Sequence, residues 1–139
     1  MAKGFEFLEH TADLKFRAYG GSLEEALVNA ARAFTEATCG ESAIETKVTR
    51  EVSIESPDLE RLVHDWLTEL IVDFSTEHML YNSFDLKVTG KYTLAGKISG
   101  ERYNPEKHKL YKEIKAATYH DMLVEGKKGR WIIEVVCDT

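Results

Sequence analysis

The chain has 139 residues, of which 43% are hydrophobic and 30% charged, and its formal net charge at pH 7 is −6. That length is enough for one domain with a real core, and the composition suggests neither a disordered chain nor a membrane span. The acidic balance disfavours unaided binding to a phosphate backbone, although an acidic protein can still serve RNA chemistry by docking on a basic protein partner.

The opening residues Met1 to Glu6 hold a lysine but no apolar signal-peptide stretch, so a cytoplasmic protein is expected. No internal repeat, low-complexity tract or linker divides residues 1–139, and a single domain follows. Phe5 to Glu9 alternates as a strand, His10-Thr11-Ala12-Asp13 interrupts it, and Leu14 to Tyr19 resumes the alternation until Gly20-Gly21. Ser22 to about Thr38 predicts a helix: Ser22 and Glu25 form an S-x-x-E capping box. Leu23, Ala26, Leu27, Ala30, Ala33, Phe34 and Ala37 supply the apolar stripe of that helix, with small alanines that permit close packing on a sheet.

Lys47 to Glu55 alternates as another strand, and Asp58 caps a second helix with apolar positions from Leu59 to Phe74 at helical spacing. Beyond about Tyr81 the pattern reads as strands: Phe84–Val88, Tyr92–Ser99, Glu113–Tyr119, Met122–Glu125 and Arg130–Cys137. Two strands, a helix, a strand, a helix and then consecutive strands define an α+β fold, largely antiparallel, with two helices. The final run Trp131 to Cys137 is almost continuously apolar, as in a central strand, so Asp138 and Thr139 emerge from a fixed point.

Cys39 and Cys137, far apart and in no CxxC pattern, exclude a zinc site built on paired cysteines and read as ordinary core thiols. The chain has no GxGxxG, GxxxxGK[ST] or GxSxG motif and no HxxxH pair, so it is not expected to bind a nucleotide by itself. His64 is expected on the surface or half-buried, and His78 as a partner for the end of the second helix.

The residues with chemical potential are mainly acidic. An Asp in a strand break, such as Asp13, is most often a turn residue, and a penultimate Asp such as Asp138 is often frayed. If the first and last strands bring the two together, they and the terminal carboxylate of Thr139 form an all-oxygen anionic cluster. Such a cluster needs a cation to hold its charges together, and oxygen ligands fit Ca²⁺, Mn²⁺ or Mg²⁺ rather than zinc. Glu25 is accounted for by the capping box, and Lys115 by an outward-facing strand position. The alternative role for Lys115 is a cation beside the carboxylates that contacts a phosphate or a partner's backbone. His10, His108 and His120 flank these positions and are supporting candidates.

Four blocks, in the same order and spread over the whole length, resemble the archease family. They are His10-Thr11-Ala12-Asp13 with Ala18-Tyr19-Gly20, Leu23-Glu24-Glu25-Ala26 and Ala30-Ala31; Asp65-Trp66-Leu67-Thr68-Glu69-Leu70; His108 with Glu113 to His120; and the ending from Trp131 to Asp138. The family closes with Asp and an aliphatic residue, so Thr139 is a departure; it is harmless if only the backbone carboxylate matters. The resemblance implies the archease fold and a role as protein cofactor of an RtcB-type RNA ligase in tRNA splicing. That ligase is guanylylated on a histidine with GTP and a divalent metal, and the archease promotes activation and turnover without being a catalyst. Carried over by position, the functional residues implied by the resemblance are Asp13, Glu25, Lys115 and Asp138. The competing expectations are a stand-alone metal-dependent hydrolase and a metal-independent chaperone or scaffold for RNA-modifying enzymes.

Overall fold

Period-two runs become strands in this chain and period-3.6 runs become helices. A computed structural model describes residues 4–9, 13–127 and 129–139. Its elements are β1 (Phe5–Leu8), β2 (Leu14–Gly20), α1 (Leu23–Cys39), β3 (Val48–Glu55), α2 (Leu59–Glu77), β4 (Met79–Thr89), β5 (Thr93–Arg102), β6 (Ala116–Ala117), β7 (Leu123–Lys127) and β8 (Arg130–Asp138). All ladders are antiparallel: one sheet runs β1-β2-β8-β6 with β7 also on β8, and the other runs β3-β5-β4. The expected α+β plan with two helices is therefore the fold.

The helices lie between the two sheets, α1 packing on β2 and β4 and α2 on strands of both. Ala26, Ala30, Ala33 and Ala37 are buried along α1, so the helix can sit close to its neighbours. Gly20 ends β2 where the chain turns back into α1; a Cβ there would fall 2.4 Å from the Ala26 nitrogen. Trp66 joins the helices, its fully buried indole donating from Nε1 to the Leu27 carbonyl at 2.9 Å. Both helix starts behave as expected: Ser22 accepts from the Glu25 N–H, and Asp58 accepts from the Arg61 N–H. His78 follows α2 in the left-handed region (φ 59°) and closes it by bonding back to the Asp73 and Phe74 carbonyls.

β8 is central as its apolar run predicts. Ile133, Val135 and Cys137 pair with Ala18, Phe16 and Leu14, and all six are buried. On the other face Glu134 is buried against Arg17 at 3.1 Å. Both cysteines are free and buried, and no helix among the described residues is long and apolar enough to cross a membrane.

Two segments depart from the expected strands. β4 starts at Met79, well before Phe84, because Met79, Leu80 and Tyr81 are all buried and so carry no alternation. The strand expected over Glu113–Tyr119 contracts to Ala116–Ala117. The preceding residues bond elsewhere: Tyr111 N–H to the Thr38 carbonyl at 2.8 Å and Lys109 N–H to the Ser42 hydroxyl at 3.1 Å. The segment from Tyr103 is thereby strapped across the end of α1 as far as Tyr111, and it meets the sheet only from Lys115, whose N–H bonds the Asp138 carbonyl.

Candidate functional site

The β2–β8 ladder determines where the two aspartates lie. Leu14 faces Cys137 at the end of that ladder, so Asp13 and Asp138, the next residues outward on the two chains, lie at the same end of the sheet. Asp13 is half-buried at the bend before β2, and Asp138 is exposed at the end of β8. Their shared neighbourhood is visible in the Cys137 thiol, pushed up to about 12 by burial and then by the charges of Asp138 and Asp13. Strand alternation turns the Cys137 sulfur into the core and Asp138 away from it.

β6 brings Lys115 to the same edge from the other side of β8. Ala116 faces Asp138, and the Lys115 N–H donates to the Asp138 carbonyl at 2.8 Å. Lys115 and Thr139, the residues next to the Ala116–Asp138 pair, are both exposed. Lys115 also lines a cleft of about 270 Å³ with Ile71, Val72, Ser75 and Thr76 of α2. Asp13, Asp138, Thr139 and Lys115 therefore share one end of the first sheet.

The donors on this edge are oxygens, which suits a hard divalent cation rather than zinc. Two aspartates supply a minority of the six to eight ligands Ca²⁺ takes. Among the described residues no three His, Cys, Asp or Glu side chains gather at ligand spacing. The residues fit such an ion as an open, partial site that needs further ligands from outside.

Glu25 is not part of this edge. It lies just beyond Gly20, which pairs with Trp131 at the start of β8, so the length of β2 (about 20 Å) separates it from Asp13. There its carboxylate accepts from the Gly21 N–H, while its own N–H donates to the Ser22 hydroxyl at 3.1 Å. The Ser22 half is that of a capping box, while the carboxylate reaches one residue further back, to Gly21 rather than to the cap itself.

The supporting histidines also separate. His108 is buried elsewhere, in a clamp at the end of β5. Its Nδ1 accepts from the Asn104 N–H at 3.0 Å, so Nε2 carries the proton and donates to Glu101 at 3.1 Å. Glu101 also accepts from Lys107 at 2.8 Å and from the Glu45 N–H at 2.7 Å. Lys107 foremost, then the Glu45 N–H and His108, hold the Glu101 carboxyl down at about 2 against the effect of burial. His120 is exposed in the turn between β6 and β7, 3.4 Å from Asp121. His10 lies outside the described residues.

A second polar cluster was not singled out from the sequence. Arg50 on β3 bonds Glu69 at 2.8 Å and Asp73 at 3.2 Å on α2, and Tyr81 bonds the same Asp73. The Tyr81 phenol is pushed up to about 12 by burial and by that bond. Its signal in the sequence is Asp65, Glu69 and Asp73, an acidic row at four-residue spacing on one side of α2.

Comparison with known proteins bears on the whole chain. Residues 5–139 match the Archease protein family (MTH1598/TM1083). "Protein archease" of Sulfurisphaera tokodaii is 44% identical over 135 residues, spanning 96% of this chain and 97% of that one. The protein of the same name from Pyrococcus furiosus is 41% identical over 138 residues, spanning 96% and 97%. The solution structure of Methanobacterium thermoautotrophicum protein 1598 superposes with a TM-score of 0.85 at 38% identity, over 99% of this chain and 100% of that one. The crystal structure of a Thermotoga maritima archease, described as a possible chaperone, superposes with a TM-score of 0.67 at 26% identity, over 95% and 94%. The four sequence blocks, the two-sheet fold and these relatives agree, and the chain belongs to the archease family.

Proposed function

We propose that this chain is a non-catalytic helper that activates an RtcB-type RNA ligase, using Asp13 and Asp138 to hold a hard divalent cation at the mouth of the ligase's active site. The observation that carries this reading is that Asp13 and Asp138 adjoin the Leu14–Cys137 pair at one end of the sheet, with the Lys115 N–H on the Asp138 carbonyl. A site with two side-chain carboxylates leaves room for oxygens of the ligase or of GTP, where an ion would offset phosphate charge. Lys115 adds a positive charge beside that place and can meet a phosphate or a partner's carbonyl. The description of the Thermotoga relative as a possible chaperone is in keeping with a helper rather than a catalyst. Glu25 serves this role at a distance, by holding the start of α1.

Formation of the ligase–guanylate intermediate, measured with and without this protein, tests the reading. Asp13→Ala and Asp138→Ala are each expected to reduce the stimulation on the order of tenfold or more. Lys115→Met is expected to weaken it less. Undiminished stimulation by both aspartate variants would contradict the proposal.

A further inference from the structure

The two edges of the second sheet are treated differently. On the β4 side α1 supplies partners: Glu24 accepts from the Val88 N–H at 3.2 Å, and Thr35 donates to the Tyr81 carbonyl at 2.9 Å. β3 forms the other edge. The Ser56 N–H bonds the Tyr92 carbonyl at 3.0 Å, and with the β3–β5 register this makes Val48, Arg50, Val52 and Ile54 the inward-bonding residues. Thr49, Glu51 and Ser53 therefore turn their backbone N–H and C=O groups outward, and among the described residues no strand pairs with that edge.

α2 runs beside this edge and closes a cleft of about 570 Å³ against it. Asp65, Glu69, Val72 and Asp73 line it from the helix, and Ser53 and Glu55 from β3. Its four carboxylates face one lining cation, Arg50, engaged with Glu69 and Asp73, and Asp65 is met from outside the cleft by the exposed Arg61 at 3.0 Å, which leaves Glu55 and a net negative wall. Val72 is 51% exposed, an apolar contact within an acidic wall. Arg50 to Glu55 spans about 16 Å of strand, and Asp65 to Thr76 spans about the same length of helix, which matches roughly five residues of extended peptide.

We propose that this cleft is a strand-addition site for a basic, extended segment of a partner protein. The outward backbone groups of β3 would pair with the segment's main chain, and Glu55, Asp65 and Glu69 would meet lysine or arginine at alternate positions. Val72 packs against the aliphatic stems of those side chains. The inference is independent of the ligase reading, because neither Asp13 nor Asp138 lines the cleft.

The test is an amide NMR titration of the full chain with acetyl-Lys-Val-Arg-Val-Lys-amide, using acetyl-Glu-Val-Glu-Val-Glu-amide as the control. The basic peptide is expected to shift the Thr49, Glu51 and Ser53 amides and slow their exchange, and to bind more weakly as salt rises. Ser53→Pro removes an outward N–H without touching the inward ladder, and is expected to weaken binding about tenfold or more. Glu55→Lys, at an exposed position, tests the charge term separately and is expected to do the same. Shifts centred away from β3, equal binding of the acidic peptide, or unchanged affinity in both folded variants would overturn the proposal. Concentration-dependent shifts at β3 without peptide would assign the edge to a second copy of this chain and overturn it too.

Discussion

Trp66→Ala is expected to lower the unfolding free energy by about 4 kcal/mol, the cost of deleting a large, fully buried aromatic. The indole is wholly buried between the helices, meets Phe84 edge-on with ring centres 6.2 Å apart, and donates to the Leu27 carbonyl on α1. Its removal leaves a cavity between α1, α2 and β4. In a domain of this size the loss corresponds to a fall in Tm of roughly 10–15 °C. Trp66→Phe fills more of the space but forfeits the bond to Leu27, and is expected to cost about 1–2 kcal/mol. Denaturant unfolding of the two variants measures both. A loss below about 1 kcal/mol for the alanine variant would mean that the helix pair does not depend on this contact.

Glu101→Ala is expected to cost about 3 kcal/mol near neutral pH, as removal of one partner from a buried ionic cluster does. Glu101 is buried at the end of β5 and accepts from Lys107, the Glu45 N–H and His108; the last two lose this acceptor in the variant, while Lys107 keeps only the exposed Glu45 carboxylate. The effect has a defined pH dependence. The folded carboxyl titrates at about 2, below its ordinary 4.5, so the folded state favours the ionised form. That contribution is complete above about pH 4.5 and is lost as the pH falls toward 2. The stability gap between wild type and Glu101→Ala should therefore be widest at neutral pH and narrow steadily on acidification between those values. The same variant should speed hydrogen exchange at the Tyr111 amide, because the clamp anchors the strap that leads to Lys115. A gap independent of pH would show that the carboxylate charge is not what holds the strap.

Features whose causes are local were legible in the residues themselves. Ser22, Glu25 and Asp58 cap helices through bonds three or four residues long, and the apolar spacing of α2 is set by the helix period alone. A long apolar run such as Trp131 to Cys137 still reads as a strand, but the three buried residues Met79, Leu80 and Tyr81, directly after α2, give neither alternation nor length enough to place the start of β4. The strand expected over Glu113–Tyr119 is real only about Ala116–Ala117, where the chain reaches β8; the residues before it are held by the end of α1 and by Ser42.

The carboxylate edge was legible only as a conditional statement, since register is a tertiary property. Once Leu14 faces Cys137, the rest of that edge follows. Position along the chain misled for His108, which flanks the right block but is turned into the Glu101 clamp. The resemblance grouped Glu25 with the aspartates, whereas the geometry separates them by the length of β2.

The most direct test of the carboxylate edge is paramagnetic broadening of amide signals by substoichiometric Mn²⁺ in the ¹⁵N-labelled chain, because it locates even a weakly held ion. The loss of intensity is expected to centre on the amides of Leu14, Ala116, Cys137 and Asp138. It should disappear in Asp13→Asn and Asp138→Asn and persist in Glu25→Gln. Broadening centred on the acidic row of α2, or unchanged at β8 in both aspartate variants, would contradict a metal site at this edge.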